Sequence, residues 1–316
     1  MSDRFSHIVT PDEDGLSVYQ ILRERMGVSE AIVRHARRLD FGVNLDGFSC
    51  RTDAIVTSGQ VVSLTLFENG RETSIAPEPG PLEVVYEDAD MLVVNKPAGL
   101  VVHPSRGHFE GTLCNFVAHY LAQSEQAPTP HPVNRLDRET SGLILFAKHA
   151  HAQNLLQAQL HTNALERTYL AICEGLPNPA EGTIDAPIAR LRDEYGSFGV
   201  SSAGKPAVTH YRVLASKECV FVESGQLSLV QLSLETGRTH QIRVHMSHIG
   251  CPLLGDDAYG KPSHVIDRCA LHSWKLVLTH PATKGRIELR ASLPNDMRFA
   301  LEALGANLSQ LDSPAL

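Results

Sequence analysis

The chain has 316 residues, 42% of them hydrophobic and 20% charged, and a formal net charge of −8. That length accommodates one large domain and a small one, and no apolar run approaches the ~18 residues a membrane span requires. The acidic balance excludes a protein coated in basic charge, though not a local basic groove for a polyanion.

Residues 1–14 are polar and lack the charged-then-apolar layout of a secretory signal, so a cytoplasmic location without membrane association is expected. Six cysteines (Cys50, Cys114, Cys173, Cys219, Cys251 and Cys269) form no Cys-x-x-Cys pair. Reduced thiols are expected, rather than a zinc ribbon. His245 and His248 lack the carboxylate pattern of a zincin, and no metal is expected from the histidines.

Val18, Ile21, Leu22 and Met26 recur at helical spacing, and Gly27 ends that helix. Ser29 is an N-cap residue for a second helix carrying Ile32, Val33 and Ala36. A short strand, residues 42–45, leads into the tight-turn pair Asp46-Gly47. Val61 to Phe67 alternates like a half-buried strand. Three prolines and a glycine between Pro77 and Pro81 read as a semi-rigid linker. The expected organisation is a small αα-then-β domain (1–75), a linker (76–82), a large domain (83–303) and a flexible tail (304–316).

In the large domain, residues 82–86, 91–95 and 227–234 read as strands, and 112–123 and 150–161 as helices. Residues 239–249 fit either period. Strands and helices mix without a regular βαβ repeat, which indicates an α+β fold.

Four segments carry candidate chemistry. Asn95-Lys96-Pro97-Ala98-Gly99 turns the chain, for which Pro and Gly have sufficient backbone reasons. Arg135-Leu136-Asp137-Arg138-Glu139-Thr140-Ser141-Gly142 sets an acid between two arginines. A carboxylate so placed stays ionised, ready to act as nucleophile or base; alternatively it braces a turn through Thr140 or Ser141. Tyr169 interrupts the strand-like run 166–172 and serves either core or site. Glu235-Thr236-Gly237-Arg238-Thr239-His240-Gln241-Ile242-Arg243-Val244-His245 places Arg243 in apolar company, with Arg238 more plainly on a solvated face.

Together these segments resemble the RluA family of pseudouridine synthases, including its RluD-type members. The resemblance runs from about Val84 to Leu293, with the motifs in the family's order, followed by Leu271-His272 and His280-Pro281. The 204–211 stretch, Gly-Lys-Pro-Ala-Val-Thr-His-Tyr, also looks like the family's interior. One departure is Asn134, where the family commonly has His; it is expected to alter local hydrogen bonding and not the reaction.

The resemblance implies a pseudouridine synthase fold, with a mixed, largely antiparallel sheet and a central cleft. It also implies isomerisation of uridine to pseudouridine in RNA, with no metal or organic cofactor. Asp137 would be nucleophile or base, Arg243 its ion-pair partner, and Tyr169 the wall on which the detached uracil stacks. Arg135 would fill the space left by the extruded base, and Arg138, Arg238 and Lys96 would contact phosphates. The N-terminal stretch resembles the RNA-binding fold named for ribosomal protein S-four. There Arg34, Arg37 and Arg38 would form one basic helical face. Ribosomal RNA is the expected partner, transfer RNA the alternative, and the protein is expected to be a monomer. Two other classes stay open: a ribosome-assembly factor without catalysis, and a glycoside hydrolase pairing Asp137 with Glu139 or Glu235.

Overall fold

A computed structural model describes residues 4–39, 41–65, 75–105, 109–123, 130–191, 197–220 and 222–303. The chain order is β1 (Arg4–Ile8), α1 (Val18–Gln20), α2 (Glu30–Ala36), β2 (Val43–Leu45), β3 (Phe48–Ser49) and β4 (Val61–Thr65). Then follow β5 (Val84–Glu87), β6 (Met91–Lys96), α3 (Leu113–Ala122), β7 (His131–Pro132), β8 (Ser141–Ala147), α4 (Ala150–His161) and β9 (Glu166–Glu174). Next come β10 (Glu181–Asp185), β11 (Ile188–Arg190), β12 (Phe198–Val200), β13 (Val208–Glu218), β14 (Gln226–Leu234) and α5 (Gln241–His248). β15 (Leu271–Thr279), β16 (Arg286–Arg290) and α6 (Asn295–Ala303) complete the described elements.

The N-terminal strands form a four-stranded sheet in the order β1-β4-β2-β3. After α1 the chain continues as a wider turn through Ile21–Arg25, and Gly27 then takes a positive φ. The Ser29 hydroxyl accepts the Ile32 N–H and opens α2. Val18, Leu22, Val33, Val43 and Leu64 belong to a core cluster of this module alone. The predicted strand of residues 61–67 is seen through Thr65; its last two positions and the tail after 303 lie outside the described residues.

The remainder is built on a large sheet whose main path runs β10-β13-β14-β9-β15-β8-β6-β5, with β16 on β15 and β7 on β8. Its recorded pairings are antiparallel except β15 with β8. The expected mixed, largely antiparallel α+β architecture is therefore present. β8 is buried along its whole length. Ile144 and Phe146 pack with Leu113, Val117 and Leu121 of α3 on one face. Leu143 and Leu145 pack with Ala152 and Leu156 of α4 on the other. A strand covered on both faces reads as a continuous apolar run rather than an alternation, and this one does.

The segment expected to be a linker is docked. Ile75 belongs to the main core. The Asn115 side-chain amide donates to the Ala76 carbonyl at 2.7 Å, and Glu78 accepts the Gly111 N–H at 2.6 Å. Its prolines stiffen a strap laid across the start of α3.

Candidate active site

Asp137 sits on the loop between β7 and β8, and that loop is pinned from several sides. The buried Asn134 side chain accepts the Leu145 N–H at 2.8 Å, and its amide reaches the Leu143 carbonyl. The residue that departs from the family pattern thus ties the loop to β8. Lys96 Nζ and the Gly99 N–H both donate to the Arg138 carbonyl at 2.9 Å, and Arg268 Nη1 donates to the Glu139 carbonyl at 3.1 Å. Leu136 anchors in the core. Gly142 has φ +108°, and a β-carbon there would lie 2.2 Å from the Ser273 carbonyl oxygen. Only glycine lets β8 run this close beside β15, and that approach fixes where the loop emerges.

The half-buried Asp137 opens into a cleft of about 450 Å³, shared with Arg135, Arg167, Tyr169, Arg238 and Arg243. Tyr169 comes from β9 and is 4% exposed. Burial pushes its hydroxyl above the usual phenol range, while the charge of Arg167 opposes that shift. The sequence thus brings Asp137, Tyr169 and Arg243 to one cavity from three distant segments.

The expected ion pair between Asp137 and Arg243 is not formed. Residues 241–248 settle as the helix α5, which directs Arg243 inward. Its Nε and Nη2 donate to Asp256 at 2.7 and 2.6 Å. Asp256 is fully buried and also accepts the Ala258 and Tyr259 N–H groups. A carboxylate so far from water takes the guanidinium that completes its hydrogen bonds. Burial disfavours charge on Arg243, yet the Asp256 bonds outweigh it and hold the guanidinium protonated; Asp137 contributes at longer range. The Arg243 guanidinium also lies 5.0 Å from the centre of the Tyr259 ring. Asp256 had a sequence signal, the Leu-Gly-Asp turn at 254–256 with Tyr259 downstream, but nothing local tied it to Arg243.

Other expected contacts are revised. Lys96 is 1% exposed and cannot touch a phosphate. Its Nζ donates to the Pro97, Leu100 and Arg138 carbonyls at 2.8 to 2.9 Å. Burial drives its pKa down to about 7, but three carbonyl acceptors match the three hydrogens of an ammonium. That match favours the charged form. The flanking arginines do not grip Asp137 either: Arg138 pairs with Glu139 at 3.4 Å, and Arg135 is exposed at the cleft rim. Arg238 lies at the rim too, with Nε on the Pro206 carbonyl. α2 ends at Ala36, so of the three N-terminal arginines only Arg34 is helical. Arg37 is the C-cap and Arg38 lies in the following turn, all three exposed. Of the acids proposed as hydrolase partners, Glu235 lines the cleft but is engaged by His210 at 2.7 Å.

The family model for RNA pseudouridylate synthase matches residues 90–248, which contain Asp137, Tyr169 and Arg243. The chain belongs to the RNA pseudouridylate synthase family. This synthase is 40% identical over 293 residues to the Bacillus subtilis RNA pseudouridine synthase YhcT, covering 92% of this chain and 94% of that one. It is also 40% identical over 279 residues to ribosomal large subunit pseudouridine synthase D of Pseudomonas aeruginosa, covering 84% of each. Among solved structures, human RNA pseudouridylate synthase domain containing 4 superposes with a TM-score of 0.57 at 27% identity. That match covers 71% of this chain and 93% of the human one. The expected fold and the enzyme class are both established by these matches, and the substrate is RNA.

Away from the cleft, Asp88, Asp90 and His280 cluster closely enough to suggest a metal. His280 Nδ1, however, accepts the Ala282 and Thr283 N–H groups, so Nε2 carries the proton and donates to Asp88 at 2.7 Å. A ring nitrogen bearing hydrogen has no lone pair for a metal. The cluster is a hydrogen-bond hub that ties β15 to the β5–β6 turn.

Proposed function

We propose that this synthase isomerises specific uridines of large-subunit ribosomal RNA in the cytoplasm, acting as a monomer with Asp137 as nucleophile or base. One observation carries the site assignment. The Asp137 carboxylate opens into the cleft beside Tyr169 and makes no hydrogen bond or ion pair among the described residues. A carboxylate left unused by the fold is available to the ribose of an extruded nucleotide, as adduct-former at C1′ or as base toward C2′. The flat ring of Tyr169 then retains the free uracil while it turns. Arg243, held by Asp256, supplies fixed positive charge near that reaction centre.

Ribosomal RNA is preferred because the similarity to the Pseudomonas aeruginosa large-subunit enzyme extends over 84% of both chains. The N-terminal module is read as an RNA anchor of S-four type, with Arg34, Arg37 and Arg38 toward phosphate. Arg135 at the rim is placed to fill the space the extruded base leaves, and Arg238 is suited to the backbone flanking the target, a contact that positions without reading sequence. A non-catalytic assembly role is not favoured, since the family match spans an intact Asp137 and Tyr169.

Asp137→Asn is expected to abolish pseudouridine formation while RNA affinity stays within about threefold of wild type, because the change removes the reacting group and leaves the other RNA contacts in place. Measurable product from the purified variant would reject the assignment. Mapping pseudouridines in a strain lacking the protein identifies the target; a missing mark in transfer RNA instead would overturn the ribosomal choice.

A further inference from the structure

Arg167 is a buried cation with little to hold. It lies on β9 two residues before Tyr169, so both side chains leave the same face of the strand, and both line the cleft. The residue is 7% exposed. A guanidinium offers five donor hydrogens. Among the described residues Arg167 uses one, from Nη2 to the Leu234 carbonyl at 3.2 Å. Its Nε is buried with no partner, and no carboxylate pairs with it among the described residues. An arginine kept only to brace the fold would have its donors satisfied.

Depth separates Arg167 from the arginines at the rim. Arg135 and Arg238 are exposed at the cleft rim. An extruded base goes to the floor, where Tyr169 and Arg167 lie side by side. Same-face neighbours on a strand are ~6.6 Å apart, close to the width of a pyrimidine. A ring resting on Tyr169 therefore presents an edge to Arg167.

We propose that Arg167 binds the carbonyl edge of the target uracil and stabilises the negative charge the ring acquires when it separates from ribose. The inference rests on the reading of Asp137 and Tyr169 given above. When the C1′–N1 bond breaks, its electron pair stays on N1 and spreads to O2 and O4. Asp137 can add to C1′ or take the C2′ proton; the ring departs as the same anion either way. The ring turns, and its electrons at carbon five form the new bond to C1′, displacing Asp137 or accompanying return of the C2′ proton. The hydrogen lost from carbon five is matched by one gained at N1, so nothing is oxidised or reduced. A donor aimed at the carbonyl oxygens gains strength only as the bond breaks, which is how a fixed group accelerates a step.

The test compares leaving groups, using full-length protein. Total RNA from a strain lacking this protein, grown with or without 5-fluorouracil, supplies the target with either ring. Fluorine stabilises the departing anion, so the better leaving group needs Arg167 less. On uridine, Arg167→Met is expected to slow single-turnover consumption by about 100-fold, the scale for losing one preorganised donor. Affinity should stay within about threefold and the salt dependence unchanged. On 5-fluorouridine the defect should shrink to about tenfold or less, with Arg167→Lys intermediate, because a lysine keeps the charge without the planar fork.

Equal defects on the two rings would overturn the proposal. So would a wild-type rate, or a loss confined to affinity with a shallower salt slope, the mark of a phosphate contact. If Arg167→Met does not fold, the same ratio measured with Arg167→Lys decides. Asp137→Asn is run alongside. Activity in that variant removes the underlying reading of the site; an inactive Asp137→Asn beside a fully active Arg167→Met removes only the role of Arg167.

Discussion

Asp256 decides where Arg243 points. The two form a bidentate pair with side chains 8% and 0% exposed, and the Asp256 carboxylate also closes the turn at Ala258 and Tyr259. Removing one partner of such a pair strands the other charge in the interior. Asp256→Asn is therefore expected to cost about 3–5 kcal/mol of stability and to lower turnover more than RNA affinity, because Arg243 loses its anchor. Denaturant unfolding and single-turnover assays on the same preparation check both parts; an unchanged turnover would mean Arg243 needs no positioning. Lys96 teaches a related lesson. In sequence it is a basic residue in a turn, suited to a phosphate. In the fold its three hydrogens serve three carbonyls, one of them on the residue after Asp137.

At the scale of elements, the contact of β1 with α4 joins the two modules. The Phe5 ring lies 4.6 Å from that of His151, and a β-carbon at Gly27 would come 3.3 Å from Leu155. His151 is 1% exposed, and neither ring nitrogen has a hydrogen-bond partner among the described residues. Burial, aided by His149 and Lys284 and opposed by Asp90, lowers its pKa to about 4. The unfolded chain takes up this proton first as pH falls below about 6.5. Stability is thus intact above that pH and declines down to about 4, by about 2–3 kcal/mol for this histidine. His272, also lowered to about 4 by burial, acts in the same direction. His151→Phe should flatten this acid limb. Urea midpoints at pH 7 and pH 4.5 measure it, and an equal loss in variant and wild type would place the proton elsewhere.

For the whole molecule, the question is whether the N-terminal module is more than a passenger. It has a core of its own, whereas Ile75 packs into the large domain; a truncation should therefore remove residues 1–74 and spare Ile75. That truncation is expected to weaken RNA binding by about tenfold, with a shallower salt dependence as cationic contacts are lost. Single-turnover chemistry at saturating RNA should survive. Filter binding across a salt series checks this, and an unaltered affinity would show that Arg34, Arg37 and Arg38 do not hold RNA.

The sequence by itself determined the local geometry. The cap at Ser29 and the turn at Asp46-Gly47 follow from backbone preferences within a few residues, and the unbroken apolar run 143–147 reads as a strand. The order of the motifs along the chain also sufficed for the fold and the family. The tertiary structure alone decided which charges meet. It gave Arg243 to Asp256, buried Lys96 beneath the loop, chose helix over strand for 241–248, and left Arg167 open toward the cleft. Backbone preferences are local, but a buried charge is stabilised by whatever partner the fold brings within hydrogen-bond reach, and those partners come from segments far apart in the chain.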